Sequence, residues 1–173
     1  GMTLKDVLLL LQSGKTYQRK ITIPEGLTSV DIVAAVKAAE GRTGDIVNIP
    51  ADGTLLPETY SYSYNDTRDS LMARMQQAMS DEVKTLWAGH DAADVLLKTP
   101  QDMVTLASIV EKETGLAEER PRVAGVFINR LKAGMALQSD PTVIYAVTLG
   151  KTKLDRPLSR KDLNIDSPYN TYI

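Results

Sequence analysis

A carboxylate on the apolar side of a helix can do acid–base chemistry, and the stretch Thr99 to Gly115, TPQDMVTLASIVEKETG, offers one at Glu111. Thr99 can cap the helix, Pro100 fits its first position, where no N–H is needed, and Asp102 brings negative charge to the positive end of the dipole. Gly115 is the expected stop. Met103, Leu106, Ala107 and Val110 recur at the spacing of a core-facing stripe, flanked by Val104 and Ser108, and Glu111 extends that small apolar row. Two readings follow for Glu111. Either it snorkels to water or pairs with a basic neighbour, or it is held in an apolar pocket, where desolvation disfavours the charged form and suits it to act as a general acid. Glu113 lies about 200° further round the helix axis, so it points away from Glu111, and a helix-end ion pair is expected of it.

Composition narrows the other chemistries. The 173 residues are 43% hydrophobic, ample for a core, and 20 basic against 22 acidic residues give a net charge of −2. No basic run interleaved with aromatics appears, so nucleic acid is not an expected partner. Without cysteine there is no disulfide framework and no thiolate chemistry, and the redox compartment stays open. The single histidine, His90 in WAGHD, reads as a turn residue, so neither a His-cluster metal site nor a Ser-His-Asp triad is expected. The longest apolar run, Val7 to Leu11, is too short to span a bilayer. Gly1 before Met2 reads as a tag remnant, so a membrane anchor is expected to precede these residues.

Several short elements must position the Glu111 helix. Thr3 to Ser13 reads as an amphipathic helix ended by Gly14, and Tyr17 to Ile23 alternates as a strand, with Tyr17, Arg19, Ile21 and Ile23 on one side. A Pro24-Glu25-Gly26 turn leads to a helix capped at Thr28 or Ser29, with Val30, Ile32, Val33, Val36 and Ala39 facing a core and Gly41 as its stop. Residues 44–59 are turn-rich, with two apolar stretches that could be strands, and mark a soft boundary. YSYSY places Tyr60, Tyr62 and Tyr64 on one strand face, either packed or forming a sugar-stacking wall. A long helix from Asp66 or Thr67 to about Trp87 and a brief one over Ala92 to Lys98 precede Thr99. After it, a helix restarts at Pro121, burying Val123, Val126, Phe127 and Leu131, and Asp140-Pro141 opens another, with Asp140 as its cap. Strands cluster N-terminally and helices dominate after Thr67, so the fold class is α+β in two subdomains.

LASIVEKETG (Leu106 to Gly115), RVAGVFINRLKAGMALQSDPTVIYA (Arg122 to Ala146) and PYNTY (Pro168 to Tyr172) together closely resemble the endolytic murein transglycosylases, the YceG-like family. KITIPEGLTS (Lys20 to Ser29) is similar to that family's small LysM-like subdomain, and LLPETY (Leu55 to Tyr60) to its Leu-Phe-Pro-Asp-Thr-Tyr segment. The resemblance implies a linker helix and LysM-like subdomain over residues 1–52 and a mostly helical catalytic subdomain over 53–173, truncated at its C-terminus. It also implies a bacterial inner-membrane protein whose extracytoplasmic part cuts nascent peptidoglycan glycan strands internally and leaves 1,6-anhydro-N-acetylmuramyl ends, in the company of peptidoglycan synthases in the membrane. The family's catalytic glutamate falls on Glu111, with Asn129, Gln138, Asp140, Thr142, Tyr145, Asn170 and Tyr172 as hydrogen-bonding or orienting groups. No metal or organic cofactor is implied.

An ordinary glycosidase needs two carboxyl groups across the scissile bond. A lytic reaction needs one, because the muramyl 6-hydroxyl attacks its own anomeric carbon, and a single residue protonates the glycosidic oxygen and then takes the hydroxyl proton. The alternative is a noncatalytic peptidoglycan-binding or divisome scaffold module, suggested by the LysM-like stretch. A pyridoxal-phosphate lyase is discounted, since neither a phosphate-cradling glycine loop nor a Schiff-base lysine environment is recognisable.

Overall fold

A capping box between Thr3 and Asp6 starts α1 (Leu4–Gln12), which buries none of its residues. The computed structural model describes residues 1–14, 16–91 and 96–173. The alternating stretch YQRKITI and the tyrosine repeat find each other in space: β1 (Arg19–Thr22) pairs antiparallel with β2 (Thr59–Tyr62), Arg19 opposite Tyr62 and Ile21 opposite Tyr60. Between them α2 (Ser29–Ala38) starts at Thr28, whose side chain accepts the Asp31 N–H. It closes at Ala38, before Gly41. The turn-rich segment forms no strand until Thr59.

α3 (Arg68–Ala88), capped by Thr67, lays Leu71, Met72 and Met75 against this unit. They join Ile23, Ile32, Val33, Val36, Ile46, Leu55 and Tyr60 in one core. The boundary expected between residues 52 and 53 falls inside that core, because the strand partner and half of the apolar residues come from beyond it. Tyr60 and Tyr62 are buried, their hydroxyls donating to the carbonyls of Leu56 and Glu40 at 2.8 and 3.2 Å. They pack rather than wall a sugar site, and only Tyr64, past the strand end, is exposed.

Of the brief helix expected over Ala92 to Lys98, residues 92–95 lie outside the described residues and 96–98 are not helical. The Trp87 ring stacks on His90 with centroids 4.0 Å apart. α4 (Pro100–Glu113) forms with its capping box between Thr99 and Asp102. Its Leu106 and Val110 meet Phe127 of α5 (Arg120–Lys132) in a second core, flanked by Ile109, Val123, Ala124, Ile128 and Leu137. Ala107 and Val126, expected inside, are exposed, so each helix buries a narrower stripe than its composition suggests.

α4 ends one residue early. Thr114 is extended and buried, and its hydroxyl donates to Glu119 at 2.7 Å, so Gly115 needs no left-handed turn. A 3-10 turn, Ala117–Glu119, then starts α5 at Arg120, one residue before Pro121. α6 (Asp140–Thr148) has Ser139, not Asp140, in the capping position. The architecture is α+β, mostly helical with one two-stranded antiparallel sheet among the described residues. No helix among them is long and apolar enough to cross a membrane.

Candidate functional site

The last turn of α4 presents its two glutamates to different neighbours, as the 3.6-residue period demands. Glu111 faces the N-terminal core and the start of α5. Its Oε2 lies 2.9 Å from Nη2 of Arg120, and its side chain is 25% exposed. The Pro-Glu-Gly turn crosses beside it: a Cβ on Gly26, which has φ +74°, would stand 3.5 Å from the Glu111 Cγ. Glu111 thus has the basic neighbour that one of its two readings expected, in Arg120. The 3-10 turn after α4 brings Arg120 back over the carboxylate; Nη2 makes the contact, while Nε is buried without a hydrogen-bond partner among the described residues.

Glu113 is not in a helix-end ion pair among the described residues. Its Oε1 accepts a hydrogen bond from the Ser139 hydroxyl at the N-terminus of α6. That bond explains why Ser139 occupies the capping position without capping. The Ser139 N–H donates to Thr171 Oγ1 at 3.0 Å, and Thr171 Oγ1 is 2.9 Å from Thr142 Oγ1, which donates to the Ser139 carbonyl at 2.6 Å. The Tyr172 hydroxyl donates to Asp140 Oδ1 at 2.6 Å. This bond pushes the Tyr172 phenol above its ordinary range, with smaller contributions from burial and from the negative charges of Asp140 and Glu113.

The backbone behind these groups is held by the remaining polar residues. Gln138 adopts φ +54°, a costly conformation for a non-glycine residue. Three bonds hold it there: its N–H donates to the Thr171 carbonyl at 3.0 Å, its Oε1 accepts Arg130 Nη2 at 2.7 Å, and Arg130 Nε donates to the Ala136 carbonyl. Asn170 is buried, its Nδ2 donating to the carbonyls of Leu163 and Ile165 and its Oδ1 accepting the Tyr172 N–H at 3.0 Å. Five residues expected around a catalytic carboxylate, Gln138, Asp140, Thr142, Asn170 and Tyr172, thus gather in one network with Glu113.

Two expected members lie elsewhere. Tyr145 points to the first core, donating from its hydroxyl to Asp52 Oδ2 at 2.7 Å, while Asp52 Oδ1 accepts the Ser29 N–H at 2.5 Å. Asn129 is exposed on α5. Apolar periodicity passes over Glu113, Ser139, Thr171 and Arg130. The usable signal for Glu113 is its place in the final turn of α4, where side chains meet whatever packs across the helix end. Chemically, the Glu113 network offers one carboxylate flanked by hydroxyls and a second carboxylate on a tyrosine, a donor and acceptor set suited to a polyhydroxylated ligand.

The family model described as the YceG-like family matches residues 1–173. The chain is 35% identical to the endolytic murein transglycosylase of Bacillus subtilis, over 99% of this chain and 55% of that protein. It is 38% identical to the endolytic murein transglycosylase of Streptococcus pneumoniae D39, over 99% of this chain and 38% of that protein. The crystal structure of a YceG-like protein from Listeria monocytogenes aligns with a TM-score of 0.64 at 26% identity, over 99% of this chain and 64% of that one. The chain therefore spans about half or less of the length of these curated relatives.

Proposed function

Because the chain belongs to the YceG-like family, we propose that it carries the acid–base carboxylate of a lytic transglycosylase that cuts nascent peptidoglycan strands internally and leaves 1,6-anhydro-N-acetylmuramyl ends. The endolytic murein transglycosylases among its relatives support that substrate and reaction. The motif resemblance assigns the carboxylate to Glu111, and we assign it to Glu113. One observation carries the choice. The Glu113 carboxylate meets Ser139 within the network of Asp140, Thr142, Thr171 and Tyr172, whereas Glu111 is spent on Arg120.

In this reading Glu113 protonates the glycosidic oxygen as the bond from the anomeric carbon breaks. The muramyl 6-hydroxyl then attacks that carbon on the same sugar, an intramolecular step that needs no second carboxylate to activate water. The hydroxyl proton returns to Glu113, restoring the acid, so protons and bonds balance over the cycle. Ser139 orients the carboxylate, and Tyr172 and Asp140 are placed to hold sugar hydroxyls. The reaction is extracytoplasmic, and synthases that make the strands are the natural partners.

The test is digestion of purified glycan strands by a protein spanning the full length of the relatives, with anhydro ends read by mass spectrometry. Glu113→Gln is expected to abolish the product and Glu111→Gln to leave most of it. Loss with Glu111→Gln alone would return the role to Glu111. Binding to sacculi without cleavage by the unaltered protein would favour a noncatalytic wall-binding module.

A further inference from the structure

The N-terminal unit carries an open depression of about 640 Å³, lined by Tyr17, Gln18, Arg19, Lys20, Glu40 and Tyr62. Its volume lies in the range of small-ligand sites. Arg19 lies between two exposed rings, its guanidinium carbon 5.4 Å from the centroid of Tyr17 and 5.4 Å from that of Tyr64. Both rings stand at cation–π distance, yet among the described residues the Arg19 side chain makes no ion pair and donates no hydrogen bond. Lys20 beside it is likewise unpaired among them. A guanidinium between two rings, without a carboxylate partner among the described residues, is suited to bidentate contact with a carboxylate.

The backbone builds this seat. Gly41 has φ +74°, and a Cβ there would stand 2.9 Å from Cδ2 of Tyr64 and 3.5 Å from Nε of Arg19. Only glycine lets that ring close over the arginine. Gln18 is pinned at the rim, its Nε2 donating to Ser63 Oγ at 2.8 Å and to Thr16 Oγ1 at 3.1 Å. The single acid in the lining, Glu40, works against a highly charged polyanion and suits a ligand that also bears an amine.

We propose that this depression binds a carboxylate of the peptides that branch from peptidoglycan strands, with Arg19 as the primary contact, Lys20 as a second cation and Tyr17 as an apolar face for the adjoining group. The ligand identity rests on the murein reading above; the carboxylate preference rests on the geometry of Arg19. Such a site would hold a peptide-bearing strand at a distance from the Glu113 network and so select substituted over bare glycan.

The experiment is an NMR titration of the ¹⁵N-labelled chain with a muramyl tetrapeptide and with the same compound fully amidated. The acid is expected to bind about tenfold or more tightly than the amide, as charge-assisted bonds imply, with shifts at Gln18, Lys20 and Glu40. Arg19→Met should erase that preference, and Arg19→Lys, which keeps charge but not the fork, should retain part of it. Gly41→Ala should weaken acid binding by displacing Tyr64. Equal affinity for acid and amide, shifts confined to other regions, or discrimination surviving in folded Arg19→Met overturns the proposal. Discrimination with no role for Glu113 in cleavage keeps this site and removes the mechanism above, so the two failures are separable.

Discussion

Glu111 and Glu113 share a helix, a residue type and almost a position, yet they have opposite surroundings. Glu111 lies on the row that packs toward the N-terminal unit, and there its charge is matched by Arg120 and its stem covered by the Gly26 turn. Glu113 leaves that row at the helix end and accepts from the Ser139 hydroxyl just before α6, which Thr171 of the C-terminal segment holds through the Ser139 N–H. Charge placed against a core has to be neutralised, because desolvation without a partner is costly. A carboxylate at a helix end among hydroxyl groups stays available to a substrate.

The largest effect should therefore separate the two acids. Replacing Glu113 by Gln keeps shape and removes the proton transfer, so product formation should fall by roughly 10²–10⁴-fold, the usual range for a general acid–base group. Glu111→Gln should leave turnover within a few fold. Equal losses in the two variants would show that the contrast in surroundings has no catalytic meaning. Ser139→Ala and Tyr172→Phe act one step out, by freeing the carboxylate and unlinking Asp140. Each should lower kcat by roughly tenfold, about the value of one hydrogen bond to a charged group. Full activity in both would reduce the network to scaffolding.

The residues also divide by how visible they are in the sequence. Helix starts were largely legible because their signals are local: Thr3 and Thr99 cap as expected, and Thr28 and Thr67 cap where the sequence offered two adjacent candidates. The pairing of YQRKITI with YSYSY was not, since antiparallel register links segments far apart in sequence. At the site, Gln138, Asp140, Thr142, Asn170 and Tyr172 could be named from motif resemblance. Which carboxylate they surround depends on how α6 crosses the end of α4, a tertiary fact with no periodic trace. Tyr145 shares a side of α6 with Thr142, three positions away, yet its longer side chain carries the hydroxyl to Asp52 in the N-terminal unit, a partner 93 residues distant that no local pattern marks.

Stability should show the reverse ranking of the two glutamates. The Glu111–Arg120 pair is partly exposed, so its coupling in a Glu111→Gln, Arg120→Met cycle should be at most about 1 kcal/mol in urea unfolding. Gly26→Ala, at φ +74°, should cost about 1 kcal/mol more through backbone strain beside Glu111. Neither should change the product of glycan cleavage. Glu113→Gln should unfold at nearly the same urea concentration as the parent chain. A Glu113 variant more destabilised than the Glu111 variant would invert the assignment of structural and chemical roles.

The smallest expected effect tests the far side of α6, where the helix bearing Thr142 is tied to the N-terminal unit. Burial first, then the hydrogen bond to Asp52 and the charges of Asp52 and Tyr169, push the Tyr145 phenol well above the ordinary tyrosine range. A phenol raised on folding contributes stability that is complete below the unfolded value of about 10 and is lost as pH rises through the higher folded value. In ¹³Cζ-tyrosine NMR, Tyr145 should remain protonated at an alkaline pH where an ordinary tyrosine has ionised. Asp52→Asn removes the negative charge and should bring the Tyr145 titration down toward the ordinary tyrosine range, with a small loss of stability that is complete at neutral pH and fades as pH rises above about 10, and no change in cleavage at neutral pH. An unchanged Tyr145 titration in Asp52→Asn would mean that burial alone holds the proton. The link from the first core to α6 would then be packing rather than a charged hydrogen bond.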